Sequence, residues 1–525
     1  MAVCKSLYNI CLERCIPLLE SYFKKNPEND ILTFTEKLAG PIVEDLLSYA
    51  FQFSNAENKT YKIWKDEWKI FFTAKMKTAL LNWDATLIDY ISSKCVNLQK
   101  CEVVTMKDFK PELILKLPKT VSTLDFDGEL MKRGRLTKPL LFDDENPESW
   151  LPQAQTILKA LQILRTPPID YSLTSKSSCL TEVHLSTVKA SATDLKPILQ
   201  NCPNLSLLRH YQMVTALYEL HSDAWKKKLK IPKYNLKNLD VDFSHVVRCT
   251  MSPKWVLPPD ALQLAVTLCP SAHIVHVRFD CSTPHDVLQP LTSLKKLQEF
   301  SAVCVSSGER TLLDFSDMVP ILEAHGQSGL NILELKVIEE VEIHVIIENC
   351  TNLESLVLSG CGYITPSTCS TFGCHKYDVG SFKKLQCLFY ADGDDFSWDH
   401  GVPDCFWKAT LYPSRKTREV KLQGLFLEFP RFSSVVFDEI FSHKTKKPNL
   451  SFPHLKVLSL CRCDEITVED IAWRICGLTG HNKSPNESLR YLRFSECAKV
   501  RPSDGKRLGR WMKVGNMKVK IHVDG

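Results

Sequence analysis

The chain has 525 residues, more than one ordinary globular core holds unless the architecture grows along one dimension. Hydrophobic residues make up 44% and charged residues 24%, a balance that predicts a folded chain rather than a disordered one. Because 66 basic residues stand against 61 acidic ones, the formal charge is only +5, which indicates neither nucleic acid nor a membrane surface as a partner.

Cysteine usage and hydropathy indicate the compartment. The 21 cysteines form no Cys-x-x-Cys pair, and many stand in apolar contexts, so we expect free thiols in a reducing environment. Lys5, Asn9 and Glu13 interrupt the first apolar residues, which argues against a cleavable signal. The sequence has no uncharged apolar run of about 20 residues. We therefore expect a cytoplasmic or nuclear protein.

Residues 1–93 are predicted to form a small all-helical domain. Two of its segments, Leu38–Phe53 and Tyr61–Leu81, are amphipathic. An earlier segment has apolar residues at helical spacing, namely Leu7, Ile10, Cys11, Cys15 and Leu18.

A recurring leucine frame occupies residues 94–525. It reads Leu-x-x-Leu-x-Leu, and three copies place a cysteine eight residues after the first leucine, at Cys361, Cys463 and Cys497. The frame predicts strands that start near Val121, Leu180, Leu205, Leu236, Ile274, Leu297, Leu330, Leu353, Leu385, Leu455 and Leu489, with a weak copy near Thr417. A fixed apolar frame with variable residues between is typical of a solenoid, whose units bury their cores by stacking.

A second phrase recurs before the strands. Residues 198–205 (Ile-Leu-Gln-Asn-Cys-Pro-Asn-Leu) closely parallel residues 346–353 (Ile-Ile-Glu-Asn-Cys-Thr-Asn-Leu). Each is predicted to close a helix and lead into a strand. We therefore expect an α/β fold, a leucine-rich-repeat solenoid with parallel strands on the concave face and helices outside. Residues 128–178, 365–381 and 391–414 break the rhythm and are predicted to be insertions.

Motifs for catalysis and metal binding are missing from the sequence. It has no phosphate-binding glycine loop, no nucleophile elbow and no His-Glu-x-x-His helix. Cys369, Cys374 and His375 lie close together, but no second pair stands at the spacing of a zinc site. His400 and Cys405 are residue types of a base and a nucleophile, yet no pattern indicates that they meet. We expect a non-enzymatic protein without a metal or cofactor.

The first helical segment carries a short recognisable pattern. Ser6, Leu7 and Cys11 follow the order small residue, Leu, three positions, Cys, which resembles the elongin-binding box of VHL-box and SOCS-box proteins. Leu7 and Cys11 lie four residues apart on one helix face, so both side chains can enter one hydrophobic groove. Where the box ends in an aliphatic residue, this sequence has Cys15, and Ile16 follows one position later.

The second helical segment continues the resemblance. In leucine-rich receptors of the zyg and zer type, a cullin-selecting box follows the elongin-binding box, and repeats come next. Residues 38–47 resemble that second box. Its apolar positions are taken by Ile42, Leu46 and Leu47. The same segment also resembles the first helix of an F-box, with Trp64 or Trp68 as the tryptophan of the next helix, but an F-box leaves the match at Ser6–Ile16 unexplained.

These resemblances imply a substrate-recognition subunit of a cullin-RING ubiquitin ligase, bound to elongin C, elongin B and cullin-2. The alternatives are an F-box receptor on the Skp adaptor and cullin-1, or a repeat scaffold outside the ubiquitin system. Adaptor-binding residues would be Leu7, Ile10, Cys11, Cys15, Ile42, Leu46 and Leu47. Strand alternation points the leucines inward, so a protein substrate would meet the residues between them. Those residues are Asp240, Asp242, Arg278, Asp280, Glu334, Lys336, Tyr491 and Arg493.

Overall fold

Parallel strands that alternate with helices make up this α/β protein, as described by a computed structural model. The chain divides into two units, residues 1–240 and 241–525. The structure describes residues 76–82, 85–105, 117–125, 180–185, 190–244, 257–305, 313–364, 382–392, 402–412, 420–430, 434–440, 452–476, 486, 488–514, 517 and 519–523. In these ranges no helix is both long enough and apolar enough to cross a membrane.

The first unit contains a five-stranded parallel sheet whose strands follow chain order. The strands are β1 (Thr78–Asn82), β2 (Lys100–Thr105), β3 (Thr123–Asp125), β4 (Glu182–His184) and β5 (Leu207–Arg209). Its described helices are α1 (Ala85–Lys94), α2 (Ala192–Asn201) and α3 (Met213–Lys226). Register aligns Cys101, Leu124, Val183 and Leu208 across four strands, and all four side chains are fully buried. The aligned row therefore forms one continuous apolar core.

A ten-stranded sheet begins at β6 (Asn238–Asp242), which spans the boundary between the units, and continues through the second unit. Its other strands are β7 (Ile274–Phe279), β8 (Glu299–Cys304), β9 (Ile332–Lys336), β11 (Ser355–Ser359), β13 (Cys387–Ala391), β14 (Gly424–Glu428), β15 (Val457–Cys461), β16 (Tyr491–Ser495) and β17 (Lys520–Val523). They lie in chain order, and each neighbouring pair from β7 to β17 is parallel. The short strands β10 (Val341–Glu342) and β12 (Tyr363–Ile364) pair separately.

Helices connect these strands, as parallel pairing requires. The helices described are α4 (Ala261–Leu268), α5 (Val319–His325), α6 (Ile343–Asn349), α7 (Asp404–Leu411), α8 (Ser434–Ile440), α9 (Val468–Asp470) and α10 (Pro502–Val514). A π-helical turn, Ile471–Ile475, follows α9, and 3₁₀ turns occupy Gln289–Ser293 and Phe315–Asp317. Local chemistry sets the starts of α2 and α9, because Ser191 with Asp194 and Thr467 with Asp470 form capping boxes.

The leucine frame explains the burial of the sheet. Leu353, Leu356 and Leu358 are fully buried, and β11 begins two residues after Leu353. The same offset holds for most copies, so the second and third frame residues lie on the strand and point to one side of it. Tyr390 occupies the third frame position of β13, and its ring lies 5.1 Å from the Trp407 ring of α7. The frame side of the sheet is therefore the side on which this helix packs.

Buried cysteines close four helices in the same way. The N–H groups of Cys95, Cys202, Cys269 and Cys350 each donate to the carbonyl four residues earlier, at 2.8–3.0 Å. The carbonyl of each cysteine then accepts from the N–H three residues later, which opens the next frame. The phrase read at residues 198–205 and 346–353 is confirmed as a helix end, and it has two further copies. Burial raises the pKa of Cys95, Cys269 and Cys350 to about 12, so these thiols stay neutral and serve as small apolar side chains.

A left-handed residue follows five strands of the second unit. Val337, Gly360, Phe429, Arg462 and Glu496 have φ between 47° and 60°, and each comes directly after a strand. The N–H of the first four donates to the last residue of the next strand, at 2.8–2.9 Å. These four turns thus extend the ladder by one hydrogen bond each before the chain leaves the sheet. For residues other than glycine this conformation is strained, and its recurrence shows that the stacked ladder imposes it.

Cysteine at the strand end fills a fixed role in this turn. The Sγ atoms of Cys361, Cys463 and Cys497 lie 3.3–3.5 Å from the carbonyl oxygen two residues earlier in the chain. Each Sγ also lies 3.4–3.8 Å from a carbonyl oxygen of the preceding strand, that of Leu335, Leu427 or Leu460. A thiol at this position can donate to carbonyl groups where the ladder ends. The cysteine of the leucine frame is thereby explained as a structural residue.

Three sequence expectations need correction. Strand β1 lies inside residues 1–93, which were expected to be all-helical, and the boundary at residue 93 falls within α1. The expected insertion at 391–414 is wrong for residues 402–412, because they contain α7, a helix with its rings in the core. The weak frame near Thr417 is displaced, since the buried residues are Leu422, Leu425 and Leu427 around β14. The expected insertions at 128–178 and 365–381 lie outside the described residues.

Candidate functional site

The expected adaptor-binding residues lie outside the described part of the chain. They are Leu7, Ile10, Cys11, Cys15, Ile42, Leu46 and Leu47. The described candidate site is the sheet face that is expected to meet a substrate.

One row of side chains crosses that face at mid-strand. Strand register aligns nine residues, one from each strand between β7 and β17, on the side opposite the leucine frame. We call it the central row; it consists of His276, Ser301, Glu334, Val357, Phe389, Phe426, Ser459, Arg493 and His522. Along the sheet the central row is first polar, then apolar, and finally polar again with a cationic arginine.

The polar end of the central row is a hydrogen-bonded cluster. His276 Nε2 lies 2.8 Å from Glu299 Oε1, and the Ser301 hydroxyl donates to Glu334 Oε2 at 2.9 Å. The Lys336 ammonium lies 2.7 Å from Glu334 Oε1. Both carboxylates thus already have partners within the protein. A binding partner would therefore meet polar groups whose positions are fixed in advance.

Glu334 owes its charge state to this cluster. Burial alone would raise the pKa of the carboxyl, but the Lys336 ammonium, His276 and the Ser301 hydroxyl outweigh it and hold the pKa below its usual value. The carboxylate is therefore charged at neutral pH although only 8% of the residue is exposed.

Replacing Glu334 with Gln is expected to lower the free energy of unfolding by about 1–2 kcal/mol at pH 7, since the amide cannot pair with the Lys336 charge. A depressed folded-state pKa stabilises the protein above the unfolded-state pKa, and this contribution is lost as pH falls through the folded value. Urea unfolding at pH 7 and near pH 3 should therefore show the deficit shrinking in acid. A deficit that grows in acid would contradict the assigned charge.

The middle of the central row is apolar. Val357, Phe389 and Phe426 come from adjacent strands, and the two phenylalanine rings stack with centroids 6.2 Å apart. All three residues are buried although they lie on the side opposite the leucine frame. Strands β11, β13 and β14 are therefore buried on both faces, whereas β7 and β15 alternate between buried and half-buried residues.

The far end of the central row has positive charge. The Glu428 carboxyl has a pKa above its usual value, because burial and then the Glu496 charge raise it. The buried Arg493 guanidinium acts in the opposite direction, but its effect is smaller. The outer edge of this end carries an ion pair between Arg462 Nε and Glu496 Oε2 at 2.8 Å.

The expected substrate-binding residues are less exposed than strand alternation predicted. Four of them are half-buried, namely Asp242, Arg278, Lys336 and Tyr491, and four are buried, namely Asp240, Asp280, Glu334 and Arg493. Their predicted exposure is wrong for the buried four, because neighbouring strands and turns enclose them. Asp280 also lies past the end of β7.

Two of the aspartates act within turns. Asp242 Oδ1 accepts hydrogen bonds from the N–H and hydroxyl of Ser244, at 2.9 and 2.5 Å. Asp280 Oδ1 accepts the same pair from Ser282, at 3.0 and 2.6 Å. These carboxylates hold the chain where it leaves the sheet, and this role uses one oxygen of each group.

Four residues of the face were not predicted from the sequence, namely Phe389 and Phe426 in its apolar middle and Glu299 and Ser301 at its polar end. Phe426 was missed because the frame around β14 was misplaced, and the others because register between strands cannot be read from one repeat. The aromatic residues between frame positions in β13 and β14 were the available signal.

The structure pairs Cys405 with a histidine other than His400. Cys405 Sγ lies 3.5 Å from His344 Nε2, and both residues are buried between α6 and α7. His400 lies outside the described ranges. Among the residues that are described, no three or more His, Cys, Asp or Glu side chains are arranged to hold a metal ion.

A shallow pocket lies at the edge where the strands end. It has a volume of about 270 Å³ and is lined by Phe429, Pro430, Arg462, Cys463, Asp464, Glu465 and Ile466. Its walls are turn residues that follow β14 and β15. No family model and no curated protein matches the sequence.

Proposed function

We propose that this chain is the substrate receptor of a cullin-RING ubiquitin ligase and that its strands form a leucine-rich-repeat solenoid. In this proposal the chain catalyses nothing itself. Its N-terminal segment binds an adaptor, and its repeats hold the protein that the ligase modifies.

The observation that carries the solenoid is the repeated unit of strand, left-handed turn and helix. The first frame residues Leu330, Leu353, Leu385, Leu422, Leu455 and Leu489 each lead into a strand that pairs with the strand of the next unit. Stacked units that contact only their neighbours are typical of repeat proteins, which bind partners over extended surfaces.

The half-buried side chains of the sheet face favour a protein rather than a small molecule as the ligand. Phe389, Phe426, Glu334 and Arg493 of the central row are buried, so a partner would meet the more exposed residues of that row, which are His276, Ser459 and His522. The half-buried Arg278, Lys336 and Tyr491 offer further polar contacts. Polar and charged side chains spread over several strands suit the polar part of a protein interface.

The adaptor assignment is supported by sequence alone. Leu7 and Cys11 stand at the spacing by which a helix places a leucine and a small side chain in one hydrophobic groove. The second segment, residues 38–47, supplies Ile42, Leu46 and Leu47 for a cullin or, in the F-box alternative, for the Skp adaptor.

A pulldown from human cell extract with the intact chain as bait tests this assignment. We expect the intact chain to recover elongin C and the double variant Leu7→Ser with Cys11→Phe to lose at least about 90% of it, because burying a polar or oversized group in the groove costs several kcal/mol. The matched control is Leu12→Ser, the same substitution one position away from the apolar stripe, which should retain recovery.

Two outcomes would replace the proposal. Recovery of the Skp adaptor by the intact chain, lost on Leu46→Ser with Leu47→Ser, would establish the F-box alternative. Recovery of neither adaptor, with the bait shown to be folded by circular dichroism, would leave a repeat scaffold outside the ubiquitin system.

A further inference from the structure

Two cysteines stand at equivalent positions where β15 and β16 end. Register pairs Leu460 with Phe494 and Cys461 with Ser495, and the next residue of each strand is left-handed, at φ 50° and 51°. Because the backbone makes the same turn after both strands, the next residues, Cys463 and Cys497, occupy equivalent positions just past the ends of adjacent strands. Adjacent strands lie about 4.8 Å apart, which is within the Cα separation of about 4.4–6.8 Å that a disulfide spans.

The two side chains lean in the same direction across the sheet. Cys497 Sγ lies 3.5 Å from the Leu460 carbonyl oxygen, so it reaches toward β15, the strand that leads to Cys463. Cys463 Sγ lies 3.8 Å from the Leu427 carbonyl oxygen of β14, so this side chain would have to turn toward β16 to bond with Cys497. The neighbouring Cys463 thiol, together with backbone N–H groups, outweighs burial and lowers the pKa of Cys497. Burial raises the pKa of Cys463, which therefore keeps its proton.

A route for a small oxidant exists beside the pair. Cys463 lines the pocket at the strand ends, and 4% of Cys463 and 6% of Cys497 remain exposed. The pocket is also lined by Asp464, whose charge opposes a thiolate at Cys497, and by Arg462, which is ion-paired with Glu496.

We propose that Cys463 and Cys497 are a redox-sensitive pair that hydrogen peroxide converts into a disulfide between neighbouring strands. The Cys497 sulfur, as thiolate, attacks one peroxide oxygen; the O–O bond breaks, and hydroxide leaves as water with the proton that Cys497 lost. Cys463 sulfur then displaces the hydroxyl of the sulfenic acid, the S–S bond forms, and the hydroxyl leaves as a second water with the Cys463 proton. Two thiols lose two electrons, which the peroxide gains.

The chain contains its own comparison cysteine. Cys361 takes the same position after β11, and its Sγ makes the same two carbonyl contacts. The equivalent residue after β9 is Ile338, so within the described part of the chain no thiol takes the position opposite Cys361. It should therefore remain a free thiol under the conditions that link the pair.

Trypsin separates the competing linkages without any substitution. Cleavage after Arg462 places Cys461 in peptide 457–462 and Cys463 in peptide 463–474, and Cys497 falls in peptide 494–499. The intact protein would be treated with a small molar excess of hydrogen peroxide, alkylated in denaturant, digested and analysed by mass spectrometry.

We expect peptides 463–474 and 494–499 to be recovered as one species, lighter by about 2 Da than the sum of the two reduced peptides and restored by a reductant. Peptide 457–462 and the Cys361 peptide should be recovered alkylated. A dominant link between 457–462 and 494–499 would overturn the assignment, and so would a pair that stays alkylated at peroxide levels that already oxidise Cys361. In Cys463→Ser, Cys497 should be recovered as sulfenic acid or alkylated thiol, not linked to Cys461.

Discussion

Replacing Trp407 with Ala is expected to lower the free energy of unfolding by about 3–5 kcal/mol, the range for removing a fully buried aromatic side chain. Trp407 is 0% exposed, and its ring meets the Tyr390 and Phe406 rings edge-on, each at 5.1 Å. The substitution removes both ring contacts and leaves a cavity between α7 and β13 that the stacked strands cannot close.

Urea unfolding followed by circular dichroism measures this effect. The matched control is Trp473→Ala, because Trp473 is 46% exposed and the same atoms are removed there. We expect a loss below about 1 kcal/mol for the control. Equal losses for the two variants would contradict the position of α7 in the core and would return residues 402–412 to a surface insertion.

Replacing Gly326 with Ala is expected to destabilise the second unit by about 3 kcal/mol, at the upper end of overpacking costs. A Cβ at this position would lie 2.5 Å from the carbonyl oxygens of Asn349 and Leu322 and 2.8 Å from the Asn349 carbonyl carbon. These atoms belong to the backbone of α5 and α6, so no side-chain rotation relieves the clash. The two helices would have to separate where they now touch.

Gly329 is the matched control for this substitution, three residues further along the same loop. A Cβ there would lie 3.7 Å from the Leu297 carbonyl oxygen, an ordinary contact distance. Because the folded state accepts it, Gly329→Ala should stabilise the protein by about 0.4–1 kcal/mol through the lower entropy of the unfolded chain. We therefore expect thermal unfolding to show a lower Tm for Gly326→Ala and a higher Tm for Gly329→Ala. Tm shifts of the same sign would show that α5 and α6 pack differently.

Much of the fold can be predicted from the sequence because the frame residues all have the same role, which is to bury an apolar side chain beneath the sheet. Leu353, Leu356 and Leu358 must all be buried for β11 to stack on its neighbours, and this need repeats in every unit. The frame was missed where other side chains fill the same space. Leu98 opens such a copy before β2, but Cys101 and Val103 take the later leucine positions, so the first frame predicted from the sequence was the one at Val121.

Helix ends show the same limit. The phrase with Cys202 and the phrase with Cys350 share an Asn before the cysteine, and that likeness made them visible. Cys95 and Cys269 make the same two hydrogen bonds with different neighbours, so only the backbone geometry identifies them. All four helix ends require a small apolar side chain that fits behind the turn. The residues around it are free to differ, so sequence similarity reveals only some of these helix ends.

The candidate face was harder to predict than the core. Strand alternation correctly separates Glu334 from the leucines, but it does not tell how much of Glu334 remains exposed. Exposure depends on side chains from adjacent strands about 4.8 Å away, such as Ser301 on one side and Val357 on the other. The register between strands decides which side chains become neighbours. Because helices of different length separate the strands along the chain, this register is known only once the sheet has folded.

Binding of the purified chain to the purified elongin B–elongin C complex tests whether this chain recruits the elongin adaptor. Size-exclusion chromatography should show the three proteins eluting together in equal amounts, while the variant Leu7→Ser with Cys11→Phe elutes apart from the complex. Separate elution of the intact, folded chain, at concentrations where a known VHL-box protein binds the same complex, would contradict the account.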